Sequence, residues 1–393
     1  MTTLHSNTVG SSSAARVIAC PRSYTLSKDV PNEESEYAAE GSMLHEACER
    51  ILNDEFENQE DVIGLETRWG AVTKDLYQEM IVPAVSAFDK LFDERFEFFL
   101  EKTVNFPGIP DSFGTADVIG QTDEYTAILD WKFGRGVEVD AEDNKQLLFC
   151  ASAARHDYPN MFKHDKIFGI IVQPGFDHEP KVWQFTHAEV DEFEKDLIAA
   201  WACVEDTNVP LREGSHCTFC PAKALCPAKH EKIRKVQMLA KEAAEGKPSN
   251  EHMPSRDLAV LLPLAEEALE WANAVKKLAH AELERGTVIA GWKLVQKRAT
   301  RKWEDEAEAA KKLRNMRMTK VDMYPVKLIS PAQAEKWMKA NTSSKRAKTI
   351  RTAKLEELIT SHSSGTTLVP ADDPREAVGD TTSKLEKLKG IKA

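Results

Sequence analysis

Long apolar runs are missing from this 393-residue sequence. No stretch approaches the roughly 18–20 apolar residues that a membrane-spanning helix needs, and residues 1–13 lack the apolar core of a signal peptide. Both absences argue against the membrane and secretory classes and predict a cytoplasmic protein. The seven cysteines are then expected to be reduced, buried or metal-binding rather than paired in disulfides.

The sequence also lacks a positive net charge: its formal charge is −12. Taken alone, this value argues against a nucleic-acid partner. The charge is uneven, however, since residues 291–354 contain 18 Lys and Arg against 6 Asp and Glu. Such asymmetry is typical of a basic surface for a polyanion, and a solvated helical surface is the alternative.

Residues 114–132 present the first chemical signal. They read Gly114-Thr-Ala-Asp117, an apolar stretch, a polar break at 121–124, and an apolar run that ends in Asp130-Trp131-Lys132. This pattern predicts a β-hairpin with Asp117 on its first strand. Asp130 and Lys132 are two residues apart, so they are expected on the same face of the second strand.

Two neighbouring carboxylates repel each other unless a cation lies between them. Mg²⁺ suits this arrangement, because it binds one or two carboxylates together with substrate phosphates. A lysine beside them could orient or help to deprotonate a water, as in metal-assisted phosphodiester cleavage. An exposed hairpin with scattered charges is the alternative interpretation.

Three further side chains could reach the same site. His45 lies on a predicted helix over residues 42–52, for which Ser42 is the expected N-cap. Glu101 falls on a predicted strand and is a possible third carboxylate. Gln146, on a predicted helix over residues 142–156, could return to the same face and orient a water or a phosphate. Each has an ordinary alternative as a core or surface residue.

The second chemical signal is a cysteine motif, Cys217-x₂-Cys220-x₅-Cys226, with proline after two of the three cysteines. Three thiolates call for a fourth ligand, and His216, His230 and the distant Cys20 are candidates. Thiolate sites suit Zn²⁺ or an iron–sulfur cluster, and the spacing does not separate these two.

The predicted elements follow the order hairpin, helix, strand (167–173), strand (181–185), helix (187–206). This order predicts a mixed α/β core. Residues 231–255 are a candidate linker, residues 256–360 a mostly helical basic extension, and residues 361–393 a mobile tail.

Together, these pieces resemble the PD-(D/E)XK nuclease superfamily, in particular the RecB-type nucleases that carry a 4Fe–4S cluster. The residues that match the family pattern, in order, are Cys20, His45, Gly114 to Asp117, Asp130 to Lys132, Gln146, Cys217, Cys220 and Cys226. The resemblance covers residues 12–228 and assigns residues 1–230 to the nuclease core. The whole chain also resembles an uncharacterised phage and prophage family through Gly291-Trp-Lys-Leu-Val and residues 368–375.

The resemblance implies a restriction-endonuclease-like α/β fold that hydrolyses DNA with Mg²⁺ or Mn²⁺. Asp117, Asp130, the Trp131 carbonyl and His45 would hold the metal, while Lys132 and Gln146 would position the water. The cluster, with Zn²⁺ as the alternative, would join Cys20 to the later cysteines. An exonuclease of phage recombination, repair or replication is expected, with DNA and a phage single-strand annealing or replication protein as partners. If a phage encodes the protein, its expected compartment is the host cytoplasm.

One residue departs from the family pattern. Cys150 stands where the family has a tyrosine on the active face. Its presence motivates an alternative function, a DNA-binding or partner-binding module that keeps the fold without useful catalysis.

Overall fold

The computed structural model describes residues 8–31, 36–92, 95–176, 179–245, 255–296, 300–323, 330–341, 345–362, 366–370, 373–375 and 377–378. The chain divides into two compact units, Met1–Val275 and Lys276–Ala393, here called unit 1 and unit 2. In the part of the chain that the structure describes, no helix combines the length and apolar character needed to cross a membrane.

Unit 1 is built on a five-stranded mixed sheet. The strands of unit 1 are β1 (Glu66–Thr67), β2 (Gly70–Ala71), β3 (Glu97–Asn105), β4 (Phe113–Gln121), β5 (Thr126–Trp131), β6 (Ile167–Val172) and β7 (Lys181–Phe185). β1 and β2 form a separate two-stranded ribbon, and the sheet has the strand order β3-β4-β5-β6-β7. Among the described strands of this sheet, β5 and β6 pair in parallel and the other neighbours pair antiparallel. A parallel pair needs a long crossover, and the helix between these strands provides it.

The helices of unit 1 surround this sheet. They are α1 (Ala14–Ala19), α2 (Arg22–Ser27), α3 (Glu36–Leu52), α4 (Lys74–Leu76), α5 (Val82–Leu91), α6 (Lys145–Asp157), α7 (His187–Ala202) and α8 (Pro227–Glu245), and α9 (Ser255–Glu284) continues into unit 2. Short helical turns cover Ser11–Ser13, Gln59–Val62, Tyr77–Ile81, Pro159–Met161, Ser215–Cys217 and Pro221–Ala224.

Apolar side chains fill both faces of the sheet. On one face, Ile128 packs in a buried cluster with Leu147 and Phe149 of α6. On the other face, the next residue, Leu129, joins a second cluster with Leu44 of α3. Successive strand residues point to opposite faces, so β5 is buried on both sides, and its residues 127–129 form a continuous apolar run. The mixed α/β core expected from the order of elements is confirmed.

Unit 2 contains two antiparallel strand pairs and several helices. The elements are β8 (Trp292–Gln296), β9 (Thr300–Trp303), α10 (Glu306–Asn315), α11 (Lys320–Met323), α12 (Pro331–Ala340), α13 (Lys345–Glu356), β10 (Ile359–His362) and β11 (Thr366–Pro370). β9 pairs with β10, and β8 pairs with β11. Its core is rich in methionine, with Met316, Met318 and Met323 buried together.

One local prediction differs from the structure, and two predicted segments are described only in part. Helix α3 begins at Glu36, so Ser42 lies inside the helix and is not its N-cap. Helix α8 covers the start of the predicted linker, while residues 246–254 lie outside the described residues. Strand β11 lies in the segment for which the sequence predicts a mobile tail, and residues 379–393 lie outside the described residues.

Candidate active site

The hairpin of β4 and β5 brings two carboxylates together. Val118 pairs with Leu129, which places Asp117 beside Asp130 at the end of the ladder. Asp117 is only 6% exposed and Asp130 only 4%. The Trp131 backbone N–H donates a hydrogen bond of 2.7 Å to Asp117 Oδ2, so the hairpin backbone itself orients this carboxylate.

Asp130, Lys132 and Gln146 form a closed triangle of contacts. Lys132 Nζ lies 2.6 Å from Asp130 Oδ2 and donates to Gln146 Oε1 over 2.8 Å. Gln146 Nε2 donates in turn to Asp130 Oδ1 over 2.8 Å. Each partner fixes the other two, so the lysine is held in one orientation.

The local sequence explains why Gln146 reaches this triangle. The Asn144 side chain caps α6 by accepting from the backbone N–H groups of Gln146 and Leu147. This cap starts the helix immediately after the loop that follows β5, so Gln146 falls in its first turn. The prediction that the helix begins at residue 142 is therefore three residues early.

His45 reaches the site from α3, which packs on the face of the sheet opposite to α6. Its Nδ1 lies 3.5 Å from Asp117 Oδ2 and 3.5 Å from Glu101 Oε1. The ring rests edge-on against Phe133, with 5.1 Å between centroids. Helix α3 therefore presents the imidazole to the carboxylates, as the sequence predicts for a helix beside the hairpin.

Glu101 reaches the site through an unusual backbone conformation. Its φ is +47°, in the left-handed region that side chains other than glycine rarely adopt. Leu100 pairs with Val118 and Lys102 with Ala116, so Glu101 stands opposite Asp117 across the two strands. A conformation of this kind costs of order 1–3 kcal/mol and is found most often at functional sites.

The donor set fits a divalent metal ion. His45, Glu101 and Asp117 each offer a ligand atom, and these atoms all lie within 4.8 Å of one another. Glu101 Oε1 is buried and accepts no hydrogen bond from any described residue, whereas the buried Asp130 Oδ2 contacts the Lys132 ammonium. Carboxylate oxygens and a neutral imidazole are ordinary ligands of Mg²⁺ or Mn²⁺.

The protonation of the site reflects its excess of negative charge. Burial and the nearby Asp130 and Glu101 raise the pKa of Asp117 to about 8, although His45 opposes the shift. Burial alone would lower the pKa of His45, but Asp117, Glu101 and Asp130 raise it to about 9. The cluster thus favours bound protons, which a divalent cation would replace. For Lys132, burial opposes the charge, but Asp130 raises the pKa and keeps the ammonium charged.

The cysteines of the motif lie elsewhere in unit 1. Cys20 is buried at the end of α1. The turn Ser215–Cys217 packs on α1 and the turn Pro221–Ala224 packs on α2, so both ends of the 12–228 region meet. Among the described residues, no three thiols meet in the compact arrangement that a single ion requires. His230 Nε2 instead contacts the Ala224 carbonyl, and His216 Nε2 contacts the Arg212 carbonyl.

Gln173 is a site residue that sequence reasoning missed. It is 5% exposed, and its side chain binds the loop that follows Lys132. Its Oε1 accepts from the Val139 N–H over 2.9 Å, and its Nε2 donates to the carbonyls of Gly134 and Val137. Gln173 therefore fixes the loop that leaves the lysine-bearing strand. No local sequence signal distinguishes it from any glutamine at the end of a strand.

Comparison with families shows a match over most of the chain. The model of the family DUF2800, described as "Protein of unknown function", matches residues 5–376.

Solved structures resemble the chain only distantly. An alkaline exonuclease from Laribacter hongkongensis is 11% identical, with a TM-score of 0.26, over 51% of this chain and 89% of that one. Its complex with dAMP gives a TM-score of 0.27 at the same identity and coverage. A protein from Eubacterium rectale with a provisional exonuclease assignment is 13% identical, with a TM-score of 0.33, over 64% of this chain and 93% of that one. TM-scores below 0.5 do not establish a shared fold, so these likenesses carry no argument about activity.

Proposed function

The chain belongs to the DUF2800 family, and from the geometry of its site we propose that it is a metal-dependent deoxyribonuclease of the PD-(D/E)XK type, acting as an exonuclease. One observation carries this proposal. The metal-ligand group of His45, Glu101 and Asp117 lies beside Asp130, whose carboxylate holds Lys132 in a fixed position. Metal ligands next to a fixed, charged lysine suit phosphodiester hydrolysis.

His45, Asp117, Asp130, Glu101 and the Trp131 carbonyl would hold Mg²⁺ or Mn²⁺. When bound, such a metal stabilises negative charge on the phosphate and lowers the pKa of a coordinated water. The fit rests on Glu101 Oε1, a buried carboxylate oxygen without a hydrogen-bond partner among the described residues. Buried anionic oxygens are costly unless they bind a cation or a donor.

Lys132 and Gln146 would act on the substrate and the attacking water. The ammonium of Lys132 is charged and fixed by Asp130 and Gln146, so it can orient a water or neutralise a phosphate oxygen without moving. Gln146 donates to Asp130 and accepts from Lys132 at once. Its amide therefore keeps the lysine aligned while charge develops on the phosphate.

The test is digestion of DNA by anaerobically purified protein. End-labelled linear DNA and covalently closed circular DNA are offered with Mg²⁺, Mn²⁺ or EDTA, and Lys132→Ala is run in parallel. We expect metal-dependent loss of linear DNA alone, and none with the variant. Cutting of circles would instead assign an endonuclease. The absence of any cutting by a folded protein would refute the proposed activity.

An iron–sulfur cluster held by Cys20, Cys217, Cys220 and Cys226 is a second part of the proposal. Support comes from the packing of the turns that contain Cys217 and follow Cys220 against α1 and α2, which flank Cys20. Such a link would close the core over nearly 200 residues and restrict the unfolded chain.

Iron and sulfide analysis of anaerobically purified protein tests the cluster. Both are expected in the wild type and in Cys203→Ser, which changes a thiol outside the motif, and both are expected to be lost in Cys217→Ser. Zinc without iron would favour the zinc alternative, and neither metal would refute the site.

A binding module without turnover is the alternative function, and Cys150 favours it. Its thiol is buried and lies 3.8 Å from the Thr115 carbonyl, so it offers no phenol to DNA at this position. Tight DNA binding without cleavage under any divalent metal would select this alternative. Phage recombination, repair or replication, with a phage annealing or replication protein as partner, is the setting that the sequence resemblance suggests.

A further inference from the structure

The two units carry opposite charge. Unit 1 contains 49 Asp and Glu against 26 Lys and Arg, a formal charge of −23. Unit 2 contains 26 Lys and Arg against 15 Asp and Glu, a formal charge of +11. A polyanion is therefore repelled on average by the unit that holds the candidate active site. Affinity for a phosphate backbone comes mainly from Lys and Arg, so unit 2 is the place to look for it.

One of the basic segments of unit 2 lies around the end of α10. Lys311, Arg314, Arg317 and Lys320 follow one another at intervals of three, and no Asp or Glu occurs between Glu308 and Asp322. All four are exposed, and none forms an ion pair with a described residue. We call residues 311–320 the basic turn.

The backbone of the basic turn shows a second, independent feature. Met318 N–H donates to the Leu313 carbonyl and Arg317 N–H donates to the Arg314 carbonyl, and Arg317 has a φ of +69°. This is the Schellman arrangement that ends many helices, and its left-handed position is usually glycine. Leu313 and Met318 are buried together, as the motif requires. An arginine therefore occupies a position where glycine would be less strained.

Among the described residues, the Arg317 side chain has no ion-pair partner that would offset this strain, so it suits a contact outside the unit. The Arg317 side chain is exposed, and three other exposed cations lie near it in the sequence, at intervals of three residues. Guanidinium groups bind phosphate oxygens in a bidentate manner. Several exposed cations along a segment that contains no Asp or Glu suit a chain of phosphates rather than a single anion.

We propose that the basic turn is a contact surface for the phosphate backbone of DNA, which it binds without sequence preference. It would supply the electrostatic affinity for DNA that the acidic unit 1 lacks. The inference rests on the proposed function, because it identifies DNA as the polyanion. Arg317 is its central contact, and Lys311, Arg314 and Lys320 extend it along the strand.

The experiment measures binding of a fluorescent DNA duplex to the full chain by anisotropy, in EDTA to prevent cutting, over a series of KCl concentrations. Arg317→Gly should raise the Kd several-fold and make the slope of log K against log salt shallower by about one. It should also leave the thermal unfolding temperature unchanged or higher, because glycine suits the left-handed position. Lys311→Gln combined with Arg314→Gln and Arg317→Gly should reduce the slope by about three.

Arg285→Gln is the matched control. It removes one exposed charge from the same unit, at the end of α9 where Arg285 pairs with Glu282, and it should keep the wild-type Kd and slope. Wild-type affinity and slope in Arg317→Gly would overturn the proposed role of the basic turn in DNA binding, even if the wild type binds and cuts DNA. A wild type that neither binds nor cuts DNA would overturn the proposed function as well. Tighter binding of an RNA duplex than of the DNA would overturn the choice of DNA.

Discussion

Asp117 and Trp131 are joined across the hairpin, because the Trp131 N–H donates to Asp117 Oδ2 over 2.7 Å. The bond ties a candidate metal ligand to the backbone of the strand that carries Asp130. The carboxylate therefore cannot rotate away when no cation is bound, and the site is oriented by the fold itself.

Asp117→Asn separates this structural role from the proposed metal-binding role. Asparagine keeps an acceptor oxygen for the Trp131 N–H and removes a carboxyl whose raised pKa costs stability at neutral pH, so the variant should be at least as stable as the wild type. The lost charge should weaken Mn²⁺ binding by at least about 100-fold, measured by titration calorimetry, because loss of even an outer partner of a metal site costs about 10–100-fold. Asp123→Asn, in the exposed hairpin turn, is the control. Equal Mn²⁺ affinity in wild type and Asp117→Asn would place the metal elsewhere.

Glu101→Gly should make the protein more stable and less able to bind metal. Glycine adopts a φ of +47° without strain, and the change removes a buried carboxylate oxygen that has no hydrogen-bond partner among the described residues. We expect a gain of about 1 kcal/mol in the free energy of unfolding, measured with urea, and a weaker affinity for Mn²⁺. Thr103→Gly on the same strand should instead destabilise the protein by about 0.5–1 kcal/mol. A loss of stability in Glu101→Gly would contradict the strained conformation.

Gln146→Leu should lower kcat on DNA by about 10–100-fold. The substitution leaves Lys132 with Asp130 alone and removes the donor to Asp130 Oδ1, so the lysine loses its fixed orientation. Because the change acts through Lys132, the pH profile of kcat should also move. Gln184→Leu, on the exposed side of β7, should leave the rate and the profile unchanged. An unaltered pH profile in Gln146→Leu would show that the amide does not position the lysine.

The Asp157 carboxyl should contribute to the stability of the fold in a pH-dependent way. Burial alone would raise its pKa, but hydrogen bonds from the backbone and side chain of Asn105 and the contact with His156 lower it. A carboxyl whose pKa is lower in the folded state stabilises the fold above its unfolded pKa of about 3.9. This contribution is lost as the pH falls through the folded pKa. Asp157→Ala should cost about 1 kcal/mol at neutral pH, and the difference from wild type should shrink below about pH 4. A difference that does not depend on pH would contradict the assignment.

Sequence reasoning identifies the hairpin because its signals are local. A polar break between two apolar runs fixes the turn, and a spacing of two residues puts Asp130 and Lys132 on one face. The structure shows both features, with Lys132 Nζ in contact with Asp130. The order of helices and strands after the hairpin also follows from periodicity, and this order predicts the mixed α/β core.

The remaining features depend on contacts between distant segments. The left-handed conformation of Glu101 and the binding of the 134–139 loop by Gln173 have no local pattern, because each exists only when the strands are paired. Ser42 fails as an N-cap because the good helix-forming residues before it, from Glu36 to Glu40, extend α3 past Gly41. The left-handed position of Arg317 is equally hidden, since the usual sequence signal for it is glycine.

The central claim is that DNA is cut at the hairpin with a divalent metal, and the most direct measurement is the rate of DNA hydrolysis against Mn²⁺ concentration. Wild type, Asp130→Asn and Asp123→Asn are compared after each is shown to be folded. We predict a saturable, Mn²⁺-dependent rate in wild type and Asp123→Asn, and a rate at least about 100-fold lower in Asp130→Asn at every concentration. Equal rates in wild type and Asp130→Asn would contradict the account.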